Sequence, residues 1–218
     1  MASSPLKPAA IPLLDSGKAL ARGGELLIDA TNTLGIYGGG ISSSGAGIRN
    51  AGDCIAQAAA SCRFKTGYEL VLDEMREGAT CLDEAHTSIN RALKNDEMED
   101  LNDSFVDFFK SSATYLKKSS IALEAAGAGI MQRLPVTQIG ERIHESGVEL
   151  VHLSNCISSI SDLLIDSKDS DDVQSCNTLK LCSEKILNAG EKMKIAGDNL
   201  SGVQVDKPKG KSWLKGGL

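Results

Sequence analysis

Residues 20–62 read LARGGELLIDATNTLGIYGGGISSSGAGIRNAGDCIAQAAASC. Every seventh position of this stretch is aliphatic or a small apolar thiol: Leu20, Leu27, Leu34, Ile41, Ile48, Ile55 and Cys62. Three and four places beyond, the side chains nearly vanish. Those positions hold Gly23 and Gly24, Ala30 and Thr31, Ser44 and Gly45, Ala51 and Gly52, Ala58 and Ala59, with Tyr37 the bulky exception. A seven-residue period with one aliphatic edge and one bare edge predicts helices packed at close range.

The rest of the chain repeats the recipe. Tyr68, Met75, Leu82 and Ile89 form a second series, and Phe109, Leu116, Leu123 and Ile130 a third. Val136, Ile143, Leu150, Ile157 and Leu164 make a fourth, with Gly140 and Gly147 four places after its first two members. Leu179, Ile186, Met193 and Leu200 make a fifth, with Gly190 and Gly197 between them. Gly67, Asn95-Asp96, Pro135, the run Asp166–Asp172 and Gly202 are the stop signals between and after these series. The predicted fold is all-α: an elongated antiparallel bundle of about five long helices whose Leu/Ile edges meet Gly/Ala/Ser edges. Small residues at such seams allow helix axes near the 8 Å limit, and Gly147 and Gly190 are assigned to them with Leu20 through Ile55.

The first series needs separate thought. Gly17 to Cys62 would form about 69 Å of helix, and seven glycines between Gly35 and Gly52 would cost an isolated helix about 6 kcal/mol. Phase is nevertheless kept through Gly38-Gly39-Gly40, from Leu34 to Ile41 to Ile48. That continuity favours one helix, kinked at most. Because it exceeds the others by more than two turns, it either overhangs the bundle or folds back as a sixth helix.

Two tails flank the predicted bundle of residues 17–202. Residues 1–16 carry Pro5, Pro8 and Pro12, which predict an extended segment. Residues 203–218, VQVDKPKGKSWLKGGL, hold the single Trp and are basic, 4 Lys − 1 Asp = +3. The stretch from Glu69 to Asp107 is the opposite, 3 basic − 12 acidic = −9. Ile11, Leu13 and Leu14 in the first tail, and Lys209, Lys211, Trp213, Leu214 and Lys215 in the second, are the candidate partner-binding residues. Aromatic anchors framed by charge are a common form of docking segment.

Composition narrows the function classes. A net charge of −6 lacks the basic footprint of a general nucleic-acid binder. The start of the chain carries no charged segment followed by an apolar one, so secretion is not expected. The longest uncharged run, Ala30 to Ile48, is 19 residues but includes six glycines and several hydroxyl and amide side chains, poor material for a bilayer span. Six cysteines without a C-x-x-C pair are expected as reduced thiols in a soluble reducing compartment, cytosol or organelle stroma.

No catalytic signature stands out. Gly38 to Gly47 lacks the Lys-Ser/Thr that a phosphate loop requires and has no strand ahead of it. His86, His144 and His152 lack metal-ligand spacing, although Glu141-x-x-His144 and Asp83-x-x-His86 faintly echo the Glu-x-x-His of di-metal bundles. No catalytic residue, metal site or cofactor is therefore expected. The leading functional expectation is a non-enzymatic helical adaptor, linker or stabilising subunit of a larger protein assembly, docking through tails and helix faces. Peripheral association with a membrane complex, photosynthetic ones included, is compatible, but no residue selects it. The alternative is a bundle that binds an apolar ligand or a membrane surface, with an enzyme ranked behind both.

Overall fold

Proline placement decides where the first helix begins. In the computed structural model, which describes residues 4–31, 38–64, 67–94, 103–166 and 173–202, a short 3-10 turn at Lys7–Ala9 leads directly into helix α1, Ala10–Thr31. Pro8 lies in that turn and Pro12 in the first turn of α1, where backbone N–H groups lack intrahelical partners and proline removes nothing. The extended tail expected over residues 1–16 is thus corrected. Leu6, Ala9, Ala10 and Leu13 are buried, so the prolines start a helix that the apolar residues then anchor.

The remaining helices are α2, Gly38–Ser61; α3, Tyr68–Ala92; α4, Asp103–Met131; α5, Val136–Asp166; and α6, Val173–Ser201. Among the described residues the chain is an all-helical bundle of six helices rather than five, and α1 and α2 pack as a hairpin in place of the long first helix. Residues 32–37, including Leu34, lie outside the described residues. A reversal midway between Leu27 and Ile41 leaves the apolar edge of both halves facing one axis, which is why the heptad kept its phase. Gly38, Gly39 and Gly40 occupy the first turn of α2, where the helix interior penalty of glycine does not apply.

Each helix packs against its neighbours in sequence, and α6 returns to α1, closing a ring. Pairings that run in opposite directions make every neighbour antiparallel: Gly17 with Gly52 and Gly24 with Gly45, Gly40 with Ala92 and Gly47 with Cys81. Ser119 with Ser146 and Tyr115 with His152 do the same for α4 and α5. The ring closes through the Ser16 hydroxyl, which donates to the Ala189 carbonyl at 2.8 Å, and the Cys182 thiol, which donates to the Gly23 carbonyl at 3.2 Å. The core runs inside this ring, with Leu20, Leu27, Ile41, Ile48 and Ile55 buried in it.

Glycine sets the approach of two hairpins. A Cβ on Gly17 would lie 2.5 Å from the Gly52 carbonyl oxygen, and one on Gly52 would lie 2.6 Å from that of Gly17. The α5–α6 pair repeats the reciprocity, because a Cβ on either Gly147 or Gly190 would lie 2.7 Å from the carbonyl oxygen of the other. Gly24 with Gly45, and Gly140 with Gly197, complete the two sets. Here backbones rest on backbones, and any side chain would force them apart.

Candidate functional site

The three histidines each tie one helix to the next. His86 Nδ1–H donates to the Ala113 carbonyl at 2.8 Å, joining α3 to α4. His144 Nδ1 lies 2.8 Å from Asp198 Oδ1, joining α5 to α6. The His152 ring stacks on Tyr115 at 5.1 Å, joining α5 to α4. Glu141-x-x-His144 and Asp83-x-x-His86 are thereby directed to different helix pairs. Among the described residues no group of three or more His, Cys, Asp or Glu side chains is placed to hold a metal ion.

The six cysteines are free, and five of them are buried. Burial pushes the Cys62 and Cys182 thiols up to about 12. Cys54 also rises to about 12, through burial and the proximity of Cys81, Glu74 and Glu77. Burial raises Cys81 and Cys156 as well. Thiols held protonated are poor nucleophiles and poor metal ligands at neutral pH. The glycine-rich run from Gly38 to Gly47 is likewise occupied by packing: Cβ atoms on Gly40, Gly45 and Gly47 would strike Ala92, the Gly24 carbonyl and the Cys81 carbonyl.

Two recesses stand out among the described residues. One is a small cavity of about 30 Å³ on the bundle axis, walled by apolar side chains from all six helices, among them Leu27, Ile48, Ile89, Leu116, Ile157 and Leu179. The buried Ser44 hydroxyl faces it and has no hydrogen-bond partner among the described residues. A space of this size holds about one or two water molecules.

The other recess is a cleft of about 410 Å³ at the end of the bundle where α1 begins and α6 stops. Pro5 and Leu6 form one wall, Tyr68 another, and the α4–α5 turn supplies Ile130, Arg133, Leu134, Val136 and Ile139. That turn has a defined cause. Leu134 N–H reaches back to the Gly129 carbonyl at 2.9 Å and Arg133 N–H to the Ile130 carbonyl at 3.1 Å, the paired bonds of a helix stop that usually places glycine at its left-handed position. Here the residue is Arg133, at φ 55°. A side chain in that region costs about 1 kcal/mol or more, and it brings a guanidinium to an otherwise apolar cleft. Among the described residues, half of the exposed large apolar side chains lie at this end of the bundle: Ile11, Phe64, Leu70, Met131 and Leu134.

Of the residues assigned to partner binding from sequence, Ile11 is 63% exposed while Leu13 is fully buried and Leu14 packs half-buried against the core. Leu13 is therefore corrected from docking residue to core residue, because helix α1 turns it inward. Lys209, Lys211, Trp213, Leu214 and Lys215 lie outside the described residues. Gly147 and Gly190 face each other across α5 and α6. Neither Arg133 nor Ser44 carries a signal in the sequence: a left-handed arginine and a hydroxyl without a partner are properties of the fold. No family model, curated protein or solved structure matches the chain. One helix, Val136–Ile165, is long and apolar enough to cross a membrane by length and composition, and in this structure it packs between α4 and α6.

Proposed function

We propose that the protein is a non-enzymatic adaptor or stabilising subunit of a larger protein assembly, engaging other subunits through the cleft end of its bundle and the basic segment that follows α6. The observation that carries this reading is the grouping of Ile11, Phe64, Leu70, Met131 and Leu134 around one end, with Phe64 65% exposed. Exposed apolar side chains clustered in one place mark interaction surfaces, and Trp213 flanked by Lys209, Lys211 and Lys215 adds an aromatic anchor with cationic surroundings. The free cysteines support residence in a reducing compartment.

The test is the native size of the protein in extracts of its source, followed with a Phe64→Asp, Leu70→Asp variant and with residues 203–218 deleted. Wild type is expected in a particle much larger than 22.9 kDa, and each change is expected to release a free bundle that is still folded. Wild type eluting as the free chain would overturn the proposal.

A second reading, a bundle that binds an apolar ligand, draws on the axial cavity and its unpartnered Ser44 hydroxyl. Room for about two waters is too little for a lipid chain without opening the helices. The adaptor reading therefore stands first.

A further inference from the structure

We infer that the cleft at the end of the bundle is the seat of the chain's own Trp213–Leu214 segment. The connection is short. At the last turn of α6 the Ser201 hydroxyl donates to the Thr137 carbonyl at 3.2 Å, and the neighbouring Val136 and Ile139 belong to the cleft wall. Gly202 then turns the chain out of the helix at φ 74°. Trp213 follows eleven residues later, a reach of at most about 40 Å, several times the 8–10 Å between neighbouring helices. The acidic start of α4, by contrast, lies at the far end of a 29-residue helix, about 43 Å away. Trp213 can reach the cleft with slack to spare, whereas the acidic start of α4 would demand the whole of that reach.

The chemistry of the cleft suits an indole. Leu6, Ile130, Leu134 and Ile139 offer apolar walls, Tyr68 a ring edge, and Arg133 a guanidinium for the indole face. Glu69 in the first turn of α3 and Glu141 in the second turn of α5 are exposed carboxylates at the same end of the bundle, available to Lys211 or Lys215. The strained backbone of Arg133 has a use in this arrangement, since glycine there would relieve the strain and remove the cation. A partner subunit that takes Trp213 must first draw it from the cleft, so the segment would also restrain the docking end when no partner is present.

Because Trp213 is the chain's single tryptophan, its fluorescence reports the segment without labels. The experiment compares emission and iodide quenching of the full chain with those of a peptide of residues 203–218, over a hundredfold range of concentration. It requires no partner, so its outcome is separate from that of the adaptor reading. The expected result is blue-shifted emission and quenching several-fold weaker than in the peptide, both independent of concentration. Leu134→Asp is expected to restore peptide-like emission with the thermal midpoint retained, and Arg133→Gly, which relieves backbone strain and should fold, is expected to raise quenching in part. Peptide-like emission in the wild type would overturn the inference. So would protection that neither variant alters, or protection that vanishes on dilution, which would put the segment in a second copy.

Discussion

The α1–α2 and α5–α6 hairpins are held backbone to backbone, whereas α3 and α4 are held apart by their side chains. In the first two, Gly17, Gly24, Gly45, Gly52 and Gly140, Gly147, Gly190, Gly197 form reciprocal pairs in which any Cβ would meet a facing carbonyl. In the third, a Cβ on Gly78 would meet Leu123 Cδ2 at 3.4 Å, and one on Gly127 would meet Arg76 Cγ at 3.3 Å and Leu72 Cδ1 at 3.5 Å. The α3–α4 register comes instead from polar pairs, His86 with the Ala113 carbonyl and Lys117 with Asp83 at 2.7 Å. Close backbone contact admits one geometry, while long side chains allow several. The ring thus has a fixed flank, the glycine-faced α1–α2 and α5–α6 hairpins, and a more adaptable seam between α3 and α4.

The largest expected effect tests the fixed flank. Gly147→Leu or Gly190→Leu should destabilise the protein by about 3 kcal/mol, despite the better helix propensity of leucine. The atoms in the way are the opposing carbonyl and the Lys194 N–H or Val151 backbone, none of which can rotate aside. Urea denaturation measures the loss. A variant as stable as wild type would show that these helices can separate without penalty, and the contrast between flanks would fail.

How much of this was legible depends on what a heptad encodes. Burial of Leu20, Leu27, Ile41, Ile48 and Ile55 follows from the pattern, but the pattern is blind to direction. Leu27 and Ile41 are two heptads apart, so a straight helix and a hairpin give the same spacing. The glycines carried the missing information: seven of them in a helix interior are expensive, while Gly38, Gly39 and Gly40 in a first turn and Gly45, Gly47 and Gly52 facing a partner backbone are not. At the N-terminus the prolines were weighed as breakers, although position within the first turn makes them harmless. The cleft was not legible, since it joins residues from three separate parts of the chain and depends on the left-handed backbone of Arg133.

An intermediate effect appears at alkaline pH and distinguishes the flanks through their cysteines. Burial raises the Cys182 thiol from 9.0 to about 12. Below pH 9 the folded and unfolded chains both keep this proton, and stability is full. Between pH 9 and 12 only the unfolded chain releases it, so stability falls as pH rises, by about 1.4 kcal/mol per pH unit for one such thiol. Cys182→Ala should make that decline shallower by about this amount, read from denaturation midpoints at pH 8 to 11. Cys54, on α2 facing α3, also rises to about 12, but it is only partly buried and part of its shift comes from the nearby Cys81, Glu74 and Glu77, whose charges solvent screens, so Cys54→Ala should change the slope less. Equal changes from the two variants would mean that the interior of the fixed flank is as wet as the α2–α3 groove.

The smallest effect has the opposite sign. Gly78 lies in the interior of α3, where glycine costs about 0.8–1 kcal/mol relative to alanine. The Cβ of Gly78→Ala would lie 3.4 Å from Cys54 Cβ and Leu123 Cδ2 and 3.5 Å from the Ala51 carbonyl oxygen, all ordinary van der Waals distances. Nothing must move, so the propensity gain is kept and the variant should be more stable by about 0.5–1 kcal/mol. That corresponds to a rise of about 2–3 °C in thermal midpoint for a chain of this size. Gly47→Ala is the matched control on the neighbouring α2–α3 contact: its Cβ would lie 2.7 Å from the Cys81 carbonyl oxygen, and the same gain in propensity should be outweighed by the clash. If Gly78→Ala loses stability as Gly47→Ala does, α3 is gripped as tightly as the glycine-faced hairpins. The ring would then be uniformly rigid, and any movement at the docking end would have to come from the segment beyond α6 rather than from the α3–α4 flank.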